Sequence, residues 1–268
     1  MPFLTVTATV GAAVAVALTL TGIVCLDREG VRRTTHSIWG QIIELGPYLG
    51  LAGAIFLLKQ LTGDASLRLS KAIGLDITAA IYSIEGEAVA HIQQLTPSVL
   101  IPVFSGIYLL GFAYLVATPV VLYFFSSSMQ TLKQLIVAYI INYIGGIVFY
   151  TLFIAYGPRK YMSEHVDGLL FDLFPQTRHL TGAVSVSSNV FPSLHTSLSV
   201  TVLLFALRTQ RTYPAWAVIA TVVAGAVVLS TMVLGIHWLT DVVAGVALAF
   251  VAVWSAERAL SAPKETAS

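Results

Sequence analysis

The chain has 268 residues, of which 57% are hydrophobic and only 10% are charged, and its mean hydropathy is +0.85. Soluble domains carry about 25% charged residues, so this composition excludes a water-soluble domain and predicts an integral membrane protein. The formal net charge of +1 argues against a nucleic-acid partner. The single cysteine, Cys25, excludes an intramolecular disulfide and a multi-cysteine metal site.

Seven apolar runs meet or approach the length of a membrane span, which is about 20 residues for a bilayer core about 30 Å thick. They lie roughly at 3–25, 38–61, 98–125, 132–156, 191–207, 214–235 and 238–257. Only the fifth run is short. Because lipid offers no hydrogen-bond partner to a free backbone group, each run is predicted to be a helix. The predicted fold is an all-α polytopic bundle, and the first helix is expected to be retained as an anchor because it lacks the features of a signal peptide.

Basic residues are distributed unevenly between the two sides of this bundle. With seven spans, the connections after the first, third and fifth helices and the C-terminus lie on one side. That side carries Arg28, Arg32, Arg33, Lys133, Arg208, Arg211, Arg258 and Lys264. Lys and Arg in short loops favour the cytoplasm, so the opposite side is predicted to be external.

Two longer connections lie on the predicted external side. Residues 64–95 are predicted to form an amphipathic helix or helical pair lying on the membrane, with a weakly ordered loop as the alternative. The apolar residues that follow the helical period there are Leu67, Ile73, Ile77, Ile81 and Ile84. Residues 157–190 are predicted to form a loop in which Arg178 and His179 are solvated. The helix breakers behind this second prediction are Gly157, Pro158, Pro175 and Gly182.

Three clusters of polar residues stand at the span ends that meet on this external side. They are Gly157-Pro158-Arg159-Lys160, Pro192-Ser193-Leu194-His195 and His237-Trp238-Leu239-Thr240-Asp241. Their common side follows from the alternation of the spans. His237 and Asp241 are four residues apart, so on a helix they share one face. A hydrogen bond from one ring nitrogen to Asp241 would fix the tautomer and make the other nitrogen a better nucleophile, although such a pair can also simply hold helices together.

The other two clusters suit a phosphate group. His195 lies in the first turn of the fifth helix, where free backbone N–H groups attract phosphate oxygens. It can protonate a leaving oxygen and then activate water or another acceptor, while Ser193 or the nearby amides bind the phosphoryl group. Arg159 can hold a phosphate through two parallel hydrogen bonds, with Lys160 beside it. Both cations also fit the alternative of anchors that reach towards the membrane surface.

At these clusters the sequence resembles the type 2 phosphatidic acid phosphatase superfamily, whose pattern is KxxxxxxRP, PSGH and SRxxxxxHxxxD. Residues 191–195 match the second motif, and Ser230-Thr231 with His237 and Asp241 match the third. The resemblance covers about residues 132–257. It implies a six-helix core with one extra helix in front, no metal or other cofactor, a phosphohistidine on His237, His195 as general acid, and Asp241 orienting His237. Two positions depart from the pattern, since no lysine stands seven residues before Arg159 and Thr231 replaces the third-motif arginine.

The PSLH sequence, the missing arginine and the ending GxHWLTDVVAG are more similar to the inositol phosphorylceramide synthase branch, whose members transfer a phospho-headgroup between lipids. We therefore expect N-terminal membrane helices in 1–125 and a catalytic core in 126–258. The expected function is a lipid phosphatase or phosphotransferase acting on a phospholipid, isoprenoid or other polar-lipid phosphate, at the external face of the cell membrane. The alternative is a non-catalytic transporter or lipid-binding protein. Glu44, beside Pro47 in the second helix, either belongs to an ion path or pairs with a polar neighbour.

Overall fold

The computed structural model describes residues 2–126, 128–170 and 189–261. The predicted loop residues Pro175, Arg178, His179 and Gly182 lie outside these ranges, as does the predicted cytoplasmic Lys264. The helices within the ranges are α1 (Pro2–Cys25), α2 (Arg28–Ile73), α3 (Thr78–Glu85), α4 (Ala88–Leu95), α5 (Ile101–Gly106), α6 (Phe112–Phe124), α7 (Gln130–Leu152), α8 (Pro158–Tyr161), α9 (Leu194–Arg208), α10 (Pro214–Val233) and α11 (Leu239–Ala259).

Six helical segments of the described residues are long and apolar enough to cross a membrane. They are Ala8–Cys25, Ser37–Leu61, Ser98–Phe124, Gln130–Leu152, Pro214–Val233 and Leu239–Ala259. The third of them combines a 3-10 turn, α5, a π-helical stretch (Ile107–Gly111) and α6. The short fifth run of the sequence forms α9, whose 15 residues span about 22 Å at about 1.5 Å per residue. The prediction of an all-α, multi-pass membrane protein is confirmed.

The spans alternate in direction, so their connections collect at two ends of the bundle. At the far end, Tyr213 before α10 donates a hydrogen bond to the Leu122 carbonyl in α6. There Arg208 Nε also lies 2.7 Å from Glu257 Oε1, which joins the ends of α9 and α11. The opposite end, where α2, α7 and α10 end and α9 and α11 begin, is called the site end below.

Glu44 in α2 pairs with Lys133 in α7. The Glu44 Oε1 atom lies 2.6 Å from Lys133 Nζ, so the interpretation that Glu44 has a polar neighbour is confirmed. A paired carboxylate gives no support to the ion path that was the other interpretation of this residue.

The segment 64–95 differs from the prediction in its first third. Helix α2 is kinked at Ser37, and from there it continues to Ile73 and ends at Gly74, whose φ of 68° is a left-handed cap conformation. The predicted helical pair is therefore α3 and α4, at 78–95. Before α3, Leu75–Asp76 forms a two-residue strand, β1, that pairs in parallel with Phe153–Ile154, β2. This ladder, which the sequence did not predict, ties the end of α2 to the end of α7.

Polar side chains join α7 and α9 inside the bundle. Asn142 donates a hydrogen bond of 3.0 Å to Thr201 Oγ1 and accepts one from Ser197. All three side chains are fully buried. Hydrogen bonds between helices satisfy polar groups where lipid cannot. They help to hold the short α9, which positions one of the two predicted catalytic histidines.

Candidate active site

A tight turn between α10 and α11 positions His237. The Thr231 carbonyl accepts hydrogen bonds from the backbone N–H groups of Ile236 (2.9 Å) and His237 (3.1 Å). Gly235 has a φ of 65°, and a Cβ atom there would lie 2.5 Å from Val166 Cγ1. Both the backbone conformation and the close approach therefore require glycine. The turn leaves the His237 side chain buried, with 5% of the residue exposed.

Asp241 holds His237 and caps α11 with the same carboxylate oxygen. Its Oδ2 atom lies 3.3 Å from His237 Nδ1 and accepts a 2.9 Å hydrogen bond from the Trp238 N–H. The first contact is long for a hydrogen bond, which is common at catalytic pairs before substrate binds. Asp241 is fully buried, and its Oδ1 atom has no hydrogen-bond partner among the described residues.

The surroundings of His237 favour its neutral form. Burial and the positive charge of Arg159 together lower the pKa of His237 to about 3, and a hydrogen bond with the Val190 backbone acts in the opposite direction. A neutral imidazole keeps a lone pair on one ring nitrogen. His237 is therefore in the form that a nucleophile needs at physiological pH.

Helix α9 begins against α11 and brings His195 to His237. The Ser193 N–H donates a 3.0 Å hydrogen bond to the Asp241 carbonyl, and Ser193 Oγ caps α9 by accepting from the Thr196 N–H at 3.3 Å. The close approach requires Gly245, because a Cβ atom there would lie 2.5 Å from the Ser193 carbonyl oxygen. As a result, the ring centroids of His195 and His237 are 6.3 Å apart.

The two predicted cations differ in their surroundings. The Arg159 N–H donates a 3.1 Å hydrogen bond to the Gly235 carbonyl, and its charge acts on His237. Lys160 is exposed, and its Nζ atom lies 4.2 Å from the centroid of the Tyr156 ring. The structure thus brings His195, His237, Asp241, Ser193 and Arg159 together, whereas the contact seen for Lys160 is with Tyr156.

Helix α3 contributes a site neighbour that the sequence reasoning missed. The Glu85 carboxylate accepts hydrogen bonds from the backbone N–H groups of Leu239 (2.8 Å) and Thr240. It therefore occupies the start of α11, directly after His237. The only sequence signal for this role was an acidic residue in the amphipathic segment 64–95, and that pattern says nothing about its partner.

Three aromatic residues near the site were also missed. Tyr108 and Phe112 stack against His195, with centroids 4.5 Å and 4.3 Å away. Tyr150 donates a 3.0 Å hydrogen bond to the Pro192 carbonyl. Aromatic residues are common in membrane spans, so no local pattern separates these three from the rest.

The two departures from the motif pattern are visible in the structure. Thr231 is fully buried, and its hydroxyl donates to the Val228 carbonyl of its own helix at 2.7 Å. Leu152, seven residues before Arg159, is the last residue of α7 and is 40% exposed. Neither position supplies a cation, so Arg159 is the motif cation within electrostatic reach of His237.

Fold and site together define a multi-pass membrane protein with two histidines and one aspartate at the site end of its bundle. A family model described as the PAP2 superfamily matches residues 77–255. The chain belongs to this superfamily, which indicates a membrane enzyme of the phosphatase or phosphotransferase type. The match includes α3 to α6, which the motif resemblance did not cover. No curated protein and no solved structure matches the chain.

Proposed function

We propose that this chain is an integral membrane lipid phosphatase or lipid phosphotransferase that works through a phosphohistidine on His237. The observation that carries the proposal is the pair of imidazoles with ring centroids 6.3 Å apart, one of them in contact with a buried carboxylate. Rings at this spacing can both contact one phosphate group, with the phosphorus atom about 3–3.5 Å from one nitrogen and the leaving oxygen about 2.6–3.2 Å from the other.

In the first step His237 Nε2 attacks the phosphorus atom while Nδ1–H points to Asp241. The bond between phosphorus and the leaving oxygen breaks, and His195 donates its proton to that oxygen. In the second step His195 takes a proton from water or an alcohol, whose oxygen attacks phosphorus and releases His237. Each step uses protein groups alone, so the proposed reaction needs no metal ion.

The phosphate oxygens are proposed to lie at the start of α9. Two helices begin at the site, and helix starts attract anions. The first amides of α11 already donate to Asp241 and Glu85, so the phosphate is proposed to bind at the first turn of α9 and the Ser193 O–H, where the positive charge of Arg159, which also acts on His237, attracts it. Lys160 stays in the proposal as a second cation beside Arg159, and its exposure makes it the weaker of the two.

A transferase that moves a phospho-headgroup between lipids is the second candidate. It is favoured by the PSLH motif and by Thr231, whose buried hydroxyl replaces the third-motif arginine with a neutral group. Arg208, Arg211 and Arg258 lie near the ends of spans at the far end. Basic residues favour the cytoplasmic side, so the far end is proposed to be cytoplasmic and the active site to lie on the external face of the cell membrane.

The test is to trap the phosphorylated protein. The purified chain in lipid nanodiscs is incubated with phosphatidic acid or polyprenyl phosphate carrying ³²P, denatured in alkali, and digested to map the label. We expect the label on His237, its loss in His237→Ala, and full labelling in the control variant His91→Ala, which changes an exposed histidine of α4. Label on another residue would contradict the mechanism, and phosphate release without an added alcohol would reject an obligate transferase.

A further inference from the structure

The two histidines of the site are oriented in different ways. His237 contacts the Asp241 carboxylate, whereas the ring of His195 makes no hydrogen bond within the described part of the chain. Instead it packs against two aromatic rings. Tyr108 stacks on it with centroids 4.5 Å apart and an interplanar angle of 23°, and Phe112 lies at 4.3 Å and 44°. Aromatic faces therefore fix the orientation of His195.

Both rings come from one irregular segment of a membrane span. The π-helical stretch Ile107–Gly111 contains Tyr108 and ends directly before Phe112. A π turn inserts an extra residue into a helix, and such turns are frequent at functional sites. Tyr108 is also buried and lies within electrostatic reach of Arg159. Tyr108 thus lies near both His195, the proposed acid, and Arg159, the proposed phosphate ligand.

This arrangement suits a group that must release its proton. A carboxylate beside His195 would hold the imidazolium proton in competition with the leaving oxygen. An aromatic face attracts a cation through its quadrupole but does not accept the proton covalently. The two rings therefore restrict the direction of the imidazole and leave its N–H groups available.

We infer that Tyr108 and Phe112 are positioning residues that aim His195 at the leaving oxygen. The inference rests on the proposed function, because it assumes that His195 is the general acid. It goes further in assigning a role in proton transfer to the π-helical stretch, which lies outside the three motifs.

The leaving group of the substrate separates this role from general support of the fold. An alkoxide needs a proton to leave, whereas p-nitrophenolate leaves without one. We expect Tyr108→Leu and Phe112→Leu to lower kcat on dioctanoyl phosphatidic acid by about 10- to 100-fold, since misplacing a catalytic group can cost about 10²-fold. The same variants should change kcat on p-nitrophenyl phosphate much less. Tyr108→Phe keeps the ring and should restore most of the activity.

Tyr114→Phe is the matched control, because it removes a hydroxyl that contacts Thr21 in α1, away from His195. It should leave both activities unchanged. NMR of protein with labelled histidine gives a readout that needs no substrate. Ring currents of Tyr108 and Phe112 should displace the His195 ring signals in the wild type, and Phe112→Leu should move them.

Equal losses on both esters, no loss on either, or unmoved His195 signals in Phe112→Leu would overturn the inference. His195→Ala distinguishes this failure from failure of the proposed function. If His195→Ala spares p-nitrophenyl phosphate and the aromatic variants do not, only the positioning role is wrong. If His195→Ala shows no dependence on the leaving group, or the wild type turns over neither ester, the acid role itself is wrong and the inference falls with it.

Discussion

Replacing Asp241 with Asn removes the negative charge beside His237 at nearly constant size. One oxygen, Oδ2, faces both the Trp238 N–H and His237 Nδ1, so an amide oxygen in that place can accept from both groups and keep the cap of α11. The neutral amide no longer stabilises the positive charge that the ring takes up as Nε2 attacks phosphorus. The variant should therefore fold and have a much weaker nucleophile.

The expected loss is large. In a hydrolase where this change imposes the wrong histidine tautomer, kcat falls by about 10⁴, which is about 5.5 kcal/mol at about 1.36 kcal/mol per decade. Here the amide oxygen can keep the tautomer, and the contact between His237 and Asp241, at 3.3 Å, is long for a hydrogen bond, so that figure is the upper end of the fall of about 10²- to 10⁴-fold that we expect. KM should change little, because Asp241 is fully buried behind the ring.

The assay measures kcat and KM of the purified enzyme on a lipid phosphate, together with its thermal unfolding. Glu257→Gln is the matched control, because it also neutralises a carboxylate of α11 but at the far end, where Glu257 pairs with Arg208. It should keep a normal kcat. An Asp241→Asn variant with near-normal kcat, or with a defect confined to KM, would refute the role assigned to Asp241.

Three further predictions concern charge. The pKa of His237 in the folded protein, about 3, lies below the unfolded value of about 6.5, so between these pH values only the unfolded state takes up the proton. Lowering the pH from about 7 to about 5 should therefore lower the free energy of unfolding by about 2 kcal/mol. Thermal unfolding measured at both pH values should show a smaller loss of stability in His237→Asn than in the wild type. Arg159→Ala should lower kcat/KM by about 10- to 150-fold, because hydrogen bonds from a charged group contribute about 1.5–3 kcal/mol. Lys160→Ala should have a much smaller effect, and equal kinetic effects would contradict the geometry. Glu85→Gln should lower the free energy of unfolding by about 1–2 kcal/mol through the start of α11, and calorimetry should show no such change in Glu87→Gln, whose side chain is exposed.

Much of the fold follows from the apolar runs, because the bilayer fixes the length of a span and requires it to be a helix. The alternation of spans then decides which motif residues share a side, and this places His195 near His237 although 41 positions separate them. The contact between His237 and Asp241 is predicted by their spacing of four residues, but His237 lies in the turn before α11 and the capping geometry of Asp241 makes the contact. These features depend on the spacing of residues along the chain and on the alternating direction of the spans, both of which can be read from a single sequence.

Other features depend on tertiary contacts that have no local pattern. Glu85 accepts hydrogen bonds from residues 154 and 155 positions later in the chain. Neither the π-helical stretch nor its contact with His195 has a signature in the residues around Tyr108. The difference between Arg159 and Lys160 has the same origin. Neighbouring residues on a helix point about 100° apart, so the common side of the membrane does not decide which cation reaches His237.

The contact between His237 and Asp241 does not support the interpretation that the pair only holds helices together. His237 lies in the turn directly before α11 and Asp241 in the first turn of that helix, so their contact is local, and α9 is tied to α11 by the backbone hydrogen bond from Ser193 to Asp241. Capping α11 needs the carboxylate but not the imidazole. A buried imidazole reduces stability in acid, so a catalytic role explains its presence better than a structural one. We therefore expect His237→Asn to unfold at the wild-type temperature at pH 7 while its phosphorylation is lost. A variant that fails to fold at that pH would favour the structural role instead.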